Sequence, residues 1–441
     1  MARLAGPVAT AELGWMAMGL VDTMMVGRVS AEAIGAVSIG SHVFFAIAIF
    51  GMGMLLGLDY LVAHAFGAGR LADARRALVQ GVYLSAMLSV VLTGVVLAVL
   101  PRLESLGIRP EIARETVPYL RALLWSLLPL LLYATLRRYL QALGMVRVVM
   151  VALVSANIIN ALVNWVLVFG NLGFPAMGAE GSGWATSMSR VYMFLFLLIS
   201  VIRHERRSEG GLSLPWRFDA NRLLELMRLG LPSALQTGLE VGVFTAATIL
   251  AGSLSAAQLA AHQVALGAAA FSFMVPLGIS SAAAVRVGQA MGRIDPVGAT
   301  RAGWTALLLG GGFMSGAAIA FIVAPSWIIR IFTNDAAVLQ TGVALLGVAA
   351  VFQLFDGLQV GATGVLRGTG DTRTAMLANL AGHWLLGLPI GYALCFWFGA
   401  GVVGLWIGLC TGLVIVSIVL IAVWSMRTRE MLADNRQRDA A

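Results

Sequence analysis

Five acidic side chains interrupt the long apolar runs of this sequence. Glu12, Asp22 and Asp59 lie in the first two runs, and Glu240 and Asp356 lie deep in two later ones. An ionisable group inside a membrane-spanning segment costs at least about 2.5 kcal/mol, so each acid is a candidate for function. A carboxylate in such surroundings takes a proton, a metal ion or an organic cation as its partner, which is the chemistry of cation binding.

A plainer role is open to each of these acids, namely that it is protonated and joins two helices by a hydrogen bond. We favour this role for Glu12, which is expected to face other helices near an entrance. We also favour it for Asp59, which approaches the end of its run. Asp22, Glu240 and Asp356 are therefore the stronger candidates for ion coupling.

Amide and hydroxyl groups occur in the fifth and sixth apolar runs. Asn160 and Asn164 are four residues apart, so one face of a helix presents both. The two amides suit coordination of a cation or a polar cluster around an acid, and interhelical amide bonding is the alternative. Thr186 and Arg190 share a face of the next run, where Arg190 either offsets an acid or extends towards the membrane surface.

Other reactive groups lack the partners that catalysis or metal binding requires. His262 and His383 have no ligand-type residue at metal-binding spacing, which favours packing and hydrogen bonding. All 29 basic residues are arginine, so the lysine of a Walker-type phosphate loop is missing. We therefore predict that the protein is not an enzyme and has no cofactor.

The apolar runs predict an all-α membrane protein. The chain has 441 residues, of which 59% are hydrophobic and 11% charged, whereas a soluble protein carries about 25% charge. A membrane span needs about 20 apolar residues, so this content suffices for about a dozen helices. Twelve runs are found, at approximately 5–27, 34–66, 78–100, 117–136, 148–170, 182–202, 229–251, 257–284, 302–328, 338–365, 376–398 and 401–425.

The arginines predict the orientation of these spans. Twenty-two of the 29 lie at the termini or after even-numbered runs, and six lie on the opposite side. Positive segments stay in the cytoplasm, so both termini are expected there, with the chain in the plasma (inner) membrane. Topology thus explains the net charge of +8, and no nucleic-acid partner is predicted.

The two halves of the chain repeat each other at an offset of 225 residues, at which Pro7 matches Pro232. The first half begins almost at the start of this match, so we expect either that an upstream helical turn is missing or that the true start lies earlier. Two copies of six spans insert in the same orientation, which predicts two lobes related by an axis along the membrane normal. The predicted domains are an N-lobe (1–202), a cytoplasmic linker (203–222), a C-lobe (223–426) and a cytoplasmic tail (427–441).

Seven motifs follow one another along the chain: VDTMMVG, GAGR, NALVNW, LEVGVF, AAHQVAL, RVGQAMG, and FDGLQV followed by GVLRGTGDT. Together with the twelve runs they resemble the multidrug and toxic compound extrusion (MATE) family, particularly its NorM-like branch. The resemblance implies two lobes around a central cavity, and export of organic cations and drugs in exchange for sodium ions or protons. We expect the protein to be a monomer. Its expected partners are the transported small molecules and membrane lipid.

In the N-lobe, the resemblance implies that Asp22 is the ion-coupling acid. Asn160, Asn164 and Thr186 are its implied neighbours, and a sodium ion would bind at Asp22 and the two amides. Some members of the family have an aspartate at the position of Asn164, so the local negative charge is lower here.

In the C-lobe, Glu240 and Asp356 resemble the cation-site acids and form the alternative sodium site. NorM-like members have a tyrosine one helical turn before the second acid, where this chain has Phe352. The missing phenol oxygen weakens the case for sodium here and favours protons. The substrate is expected to contact both acids, Asp22, Phe352 and Gln353.

Two other functions remain open. A lipid-linked saccharide flippase of the same superfamily would share the lobes, but it should have a strongly cationic cavity, whereas the mid-membrane charges here are mainly acidic. A membrane enzyme would need a catalytic constellation near an interface, and the sequence contains none that we recognise.

Overall fold

A computed structural model describes residues 2–103, 109–207 and 216–440, which are almost entirely helical and contain no strand. Two π-helical turns, Leu380–Gly387 and Ala393–Trp397, interrupt the eleventh span. The helices are α1 (Ala2–Val26), α2 (Ala31–Met54), α3 (Gly57–Gly67), α4 (Leu71–Val99), α5 (Pro110–Leu124), α6 (Leu127–Ala142), α7 (Val146–Leu167), α8 (Gly178–Arg207), α9 (Ala220–Gly252), α10 (Ala256–Gly292), α11 (Pro296–Val323), α12 (Pro325–Arg330), α13 (Ala336–Gly368), α14 (Arg373–Asn379), α15 (Leu388–Tyr392) and α16 (Gly401–Ala440).

The helices confirm an all-α membrane protein. In the described ranges, eleven helical segments are long and apolar enough to cross a membrane, and the bent pair α5–α6 makes twelve. The run predicted at 117–136 is this pair, bent by 46°. The Ser126 hydroxyl at the bend donates to the carbonyl oxygen of Leu123 at 2.6 Å, a local bond that competes with the helical backbone ladder.

Two predicted boundaries do not coincide with helix ends, because hydropathy marks the end of the apolar segment and not the end of the helix. The predicted linker (203–222) is helical at both ends, since α8 continues to Arg207 and α9 begins at Ala220. Its central part, 208–215, lies outside the described residues. Helix α16 continues through the predicted tail (427–441) to the last described residue, and most of that segment consists of residues with good helix propensity.

The chain forms two compact units. The N-terminal unit comprises Thr10–Phe66 and Arg70–Ala234, and the C-terminal unit comprises Met1–Ala9, Gly67–Gly69 and Leu235–Ala441. This division differs from the predicted lobes, because the first part of α9 belongs to the N-terminal unit and the first turns of α1 belong to the C-terminal unit.

Glycines allow the first part of α9 and the first turns of α1 to pack closely against the other helices of their units. In the N-terminal unit, Gly57 lies against the backbone of Leu226 in α9. In the C-terminal unit, Gly278 lies against the backbone of Ala9 in α1. A side chain at either glycine would fill the space that the other helix occupies, so the sequence places no side chain there.

One helix in each unit is central to the packing. Helix α8 contacts α5, α6 and α7 in the N-terminal unit, and α13 contacts α10, α11 and α16 in the C-terminal unit. Thr186 and Arg190 lie on α8, and Asp356 lies on α13. These three of the polar side chains that the sequence singled out therefore project from the helix at the centre of the packing in each unit, where their positions are held firmly.

Candidate functional site

In the N-terminal unit, two helices bring three neutral donors to Asp22 of α1. Its Oδ1 accepts hydrogen bonds from Nδ2 of Asn160 at 3.0 Å and Nδ2 of Asn164 at 2.7 Å, both from α7. Its Oδ2 accepts from the hydroxyl of Thr186 on α8 at 2.6 Å. Asp22 is only 5% exposed, so these three bonds replace the water that the carboxylate would otherwise bind.

The two asparagines have further bonding capacity. Oδ1 of Asn160 and Oδ1 of Asn164 are both buried, and neither has a hydrogen-bond partner in the described part of the chain. A half-turn of either amide would direct this oxygen towards the space beside the Asp22 carboxylate. The cluster can therefore surround a carboxylate with donors, or surround a small cation with oxygens.

In the C-terminal unit, two glutamines hold Glu240 of α9. Its Oε1 accepts from Nε2 of Gln236 at 3.3 Å and from Nε2 of Gln359 at 2.7 Å. Gln359 belongs to α13 and lies three residues after Asp356, so the two share a helix face. The bond from Gln359 thus brings the face that carries Asp356 against Glu240.

Asp356 differs from Glu240 in having no such partner. It is 8% exposed, and no hydrogen bond or ion pair to its carboxylate is found among the described residues. Glu240 lies close enough to Asp356 for its negative charge to oppose a charge on Asp356. Two neighbouring carboxylates cannot both remain charged at low cost, so the pair needs at least one proton or one cation between them.

Phe352 and Gln353, predicted to contact substrate, lie in the packed interior of the C-terminal unit. Phe352 is 3% exposed and makes edge contacts with the rings of Phe244 and Trp406. Gln353 is fully buried, and its amide donates to the hydroxyl of Ser272. Neither side chain contacts the carboxylate of Asp356 by a hydrogen bond, and their contact with substrate stays a prediction.

Glu12 and Asp59 have arginine partners. Arg137 donates to Glu12, and Arg138 lies 3.4 Å from Asp59, so α6 supplies a guanidinium to each acid. An arginine that is permanently bound to the carboxylate occupies the place that an exchangeable cation would need. The sequence favoured a protonated acid that joins helices by a hydrogen bond, whereas the structure places each of these acids in an ion pair with an arginine.

A third ion pair of this kind was missed because its acid lies at the end of an apolar run. Glu205 is fully buried and accepts from Nε of Arg75 at 2.5 Å and from the hydroxyl of Tyr139 at 2.5 Å. It stands in the segment RHERR, which was assigned to the linker. Only the continuation of α8 into that segment makes Glu205 an interior residue.

The histidines fill hydrogen-bonding and packing positions. Nδ1 of His262 accepts from Nε1 of Trp406 at 3.0 Å, so its proton is on Nε2, which lies 2.8 Å from the hydroxyl of Thr248. His383 is buried in the first π-helical turn. Among the described residues, no three His, Cys, Asp or Glu side chains come close enough to hold a metal ion together.

The sequence was compared with known families and relatives. The profile of the MatE family matches residues 7–166 and again residues 232–393, as the internal repeat implies. The chain is 39% identical to a probable multidrug resistance protein NorM of Mesorhizobium japonicum, over 97% of this chain and 93% of that protein. It is 35% identical to the multidrug resistance protein NorM of Burkholderia vietnamiensis, over 99% and 95%.

Solved structures show the same fold. The chain resembles a MATE protein crystallised in a bent conformation with a TM-score of 0.89 and 20% identity, covering 98% of this chain and 96% of that one. It resembles an outward-facing multidrug resistance MATE family transporter with a TM-score of 0.88 and 21% identity, with the same coverage.

Proposed function

Because the chain belongs to the MatE family of membrane transporters, we propose that it exports organic cations and drug-like molecules in exchange for protons or sodium ions. It is an integral, multi-pass membrane protein and not an enzyme. The NorM relatives, named for multidrug resistance, support drugs as the exported class.

One observation carries the exchange mechanism. Five of the acids form two groups by their partners: Glu12, Asp59 and Glu205 are paired with arginine, whereas Asp22 and Glu240 are held by neutral amides and, at Asp22, a hydroxyl. Neutral donors orient a carboxylate without cancelling its charge. The second group can therefore bind a cation, release it and bind another.

In this mechanism, the two units have different tasks. Asp22 takes the coupling ion, because its amide and hydroxyl neighbours suit a proton or a dehydrated sodium ion. Glu240 and Asp356 together take the organic cation, and Glu240 is the more exposed of the two acids. When the sites are open to the outside, the coupling ion binds and the drug leaves; when they are open to the inside, the ion leaves and the next drug molecule binds.

The ion gradient supplies enough free energy for such export. A monovalent ion that crosses a potential of 100 mV releases about 2.3 kcal/mol. At about 1.4 kcal/mol per tenfold concentration ratio, this sustains a drug gradient of about fiftyfold per ion. Phosphate-loop ATP hydrolysis, for which the chain lacks the lysine, is not needed.

The distribution of arginines supports the proposed location. The arginine-rich ends and loops favour cytoplasmic termini in a plasma (inner) membrane. We propose that one chain, as a monomer, contains both acid sites and performs the whole cycle.

Uptake of a fluorescent organic cation into vesicles tests the proposal, with pH and sodium gradients imposed independently. Asp22→Asn, Glu240→Gln and Asp356→Asn should each abolish the uptake driven by the coupling ion. Glu225→Gln, which neutralises an exposed acid of α9, is the matched control and should transport like the parent. If all three site variants transport as fast as the parent, these acids do not couple the ion to the drug.

A further inference from the structure

Arg190 is a buried cation for which the exchange mechanism has given no role. It lies on α8 and is only 8% exposed. Its Nη1 donates to the hydroxyl of Ser126 at 2.8 Å, and that hydroxyl donates in turn to the carbonyl oxygen of Leu123. A guanidinium remains charged at every pH that a cell meets, so the charge of Arg190 is permanent.

The remaining contacts of Arg190 are weak ones. Its guanidinium carbon lies 4.6 Å from the ring centre of Phe44 and 6.0 Å from that of Trp15. Cation–π contacts of this kind hold a charge without neutralising it. Nε of Arg190 is buried and has no hydrogen-bond partner among the described residues. The guanidinium therefore has a donor to spare.

The position of Arg190 relates this charge to Asp22. Thr186, which donates to Asp22, lies one helical turn before Arg190 on the same face of α8. Arg190 lies within electrostatic range of Asp22. Within the described ranges, Tyr119 of α5 is the other titratable side chain within electrostatic range of both Asp22 and Arg190. The neighbours contributed by α7 are the neutral amides of Asn160 and Asn164.

We propose that Arg190 is a tethered cation that competes with the coupling ion for Asp22. In the structure the guanidinium rests on Ser126 and the ring of Phe44, and in this proposal that is its position when a proton or sodium ion neutralises Asp22. When the ion leaves, the charged carboxylate attracts the guanidinium and its spare donor. Arg190 thereby weakens ion binding and promotes ion release. This inference rests on the proposed coupling role of Asp22.

The test separates ion affinity from the maximal rate of transport. Vesicle uptake is measured over a series of pH values and sodium concentrations to obtain the half-saturating concentration of the coupling ion. Arg190→Gln should lower that concentration about tenfold, since an adjacent positive charge is removed, and should also lower the maximal rate. Arg190→Lys keeps the charge and should stay close to the parent.

Ser126→Ala is expected to shift the ion affinity the other way. Without its hydroxyl partner, the guanidinium of Arg190 is freer to reach Asp22, so the half-saturating ion concentration should rise about threefold. Ser187→Ala is the matched control: Ser187 is a buried serine of α8 that donates to the carbonyl oxygen of Ala122 at 2.7 Å. This variant should leave the half-saturating concentration unchanged.

The outcomes distinguish a failure of this inference from a failure of the proposed function. If Arg190→Gln slows transport without changing the half-saturating concentration, Arg190 is only structural and the inference is wrong. If Arg190→Gln does not fold, the shift caused by Ser126→Ala decides, since that variant retains every charge. Asp22→Asn is measured in parallel: if it still couples transport to the ion, the proposed function itself fails.

Discussion

Asp22 and Glu205 are both buried acids of the N-terminal unit, and they differ in what surrounds them. Glu205 receives a guanidinium from Arg75 and a phenol from Tyr139, whereas Asp22 receives two amides and one hydroxyl. A carboxylate that is bonded directly to a cation is already neutralised and does not attract a second cation. A carboxylate bonded to neutral donors still attracts one, so partner type separates structural acids from exchanging acids.

The C-terminal unit follows the same rule with different side chains. Glu240 is held by two glutamines, and Asp356 adds a second acid beside it. Two acids accommodate a large or delocalised cation better than one, which suits an organic substrate. In the proposed mechanism, this difference between the units is the reason for placing the small ion at Asp22 and the drug at Glu240 and Asp356.

The largest effect on stability is expected at Glu205. Glu205→Gln leaves Arg75 as a buried charge without its acid and should lower the free energy of unfolding by about 3–5 kcal/mol. Thermal unfolding in detergent measures this loss, which the double variant with Arg75→Met should largely reverse. Asp22→Asn leaves only neutral donors behind and should cost less. Equal losses at Asp22 and Glu205 would contradict the distinction between the two kinds of acid.

An intermediate effect is expected at Thr186. Thr186→Val removes one hydrogen bond to the charged Asp22, worth about 1.5–3 kcal/mol, which is at least about tenfold in ion affinity. The sign of the change identifies the ion. Proton binding tightens because the carboxylate loses a donor, whereas sodium binding weakens because the ion loses an oxygen. Uptake over a range of pH and sodium concentrations measures the change, and an unchanged half-saturating concentration for both ions would remove Thr186 from the site.

The smallest effect is expected at Asn157, which precedes the two site asparagines on α7. Its amide donates to the carbonyl oxygens of Gly14 at 3.0 Å and Leu153 at 2.9 Å, and not to an acid. Asn157→Ala should therefore cost about 0.6 kcal/mol in thermal unfolding and leave the ion dependence of uptake unchanged. A shifted ion dependence would show that the amides of α7 act as one group.

Much of the Asp22 cluster could be predicted from the sequence. The spacing of Asn160 and Asn164 placed both on one helix face, and the cost of a buried acid singled out Asp22. The partners of Glu240 were not predicted, because Gln236 and Gln359 are uncharged and glutamine is common at many positions. Their signal was the spacing of Gln236 to Glu240 and of Asp356 to Gln359, which places each pair on one helix face.

The sequence by itself determined the class of protein, the number of spans and the acids that lie deep within the apolar runs, because hydropathy is a local property of the chain. Only the tertiary structure decided which acid has which partner. Asp22 and its donors are separated by 138 to 164 residues, and they meet because α1, α7 and α8 pack together. No local pattern encodes such a distant contact, and it is this contact that distinguishes a carboxylate able to exchange its cation from one permanently bound to arginine.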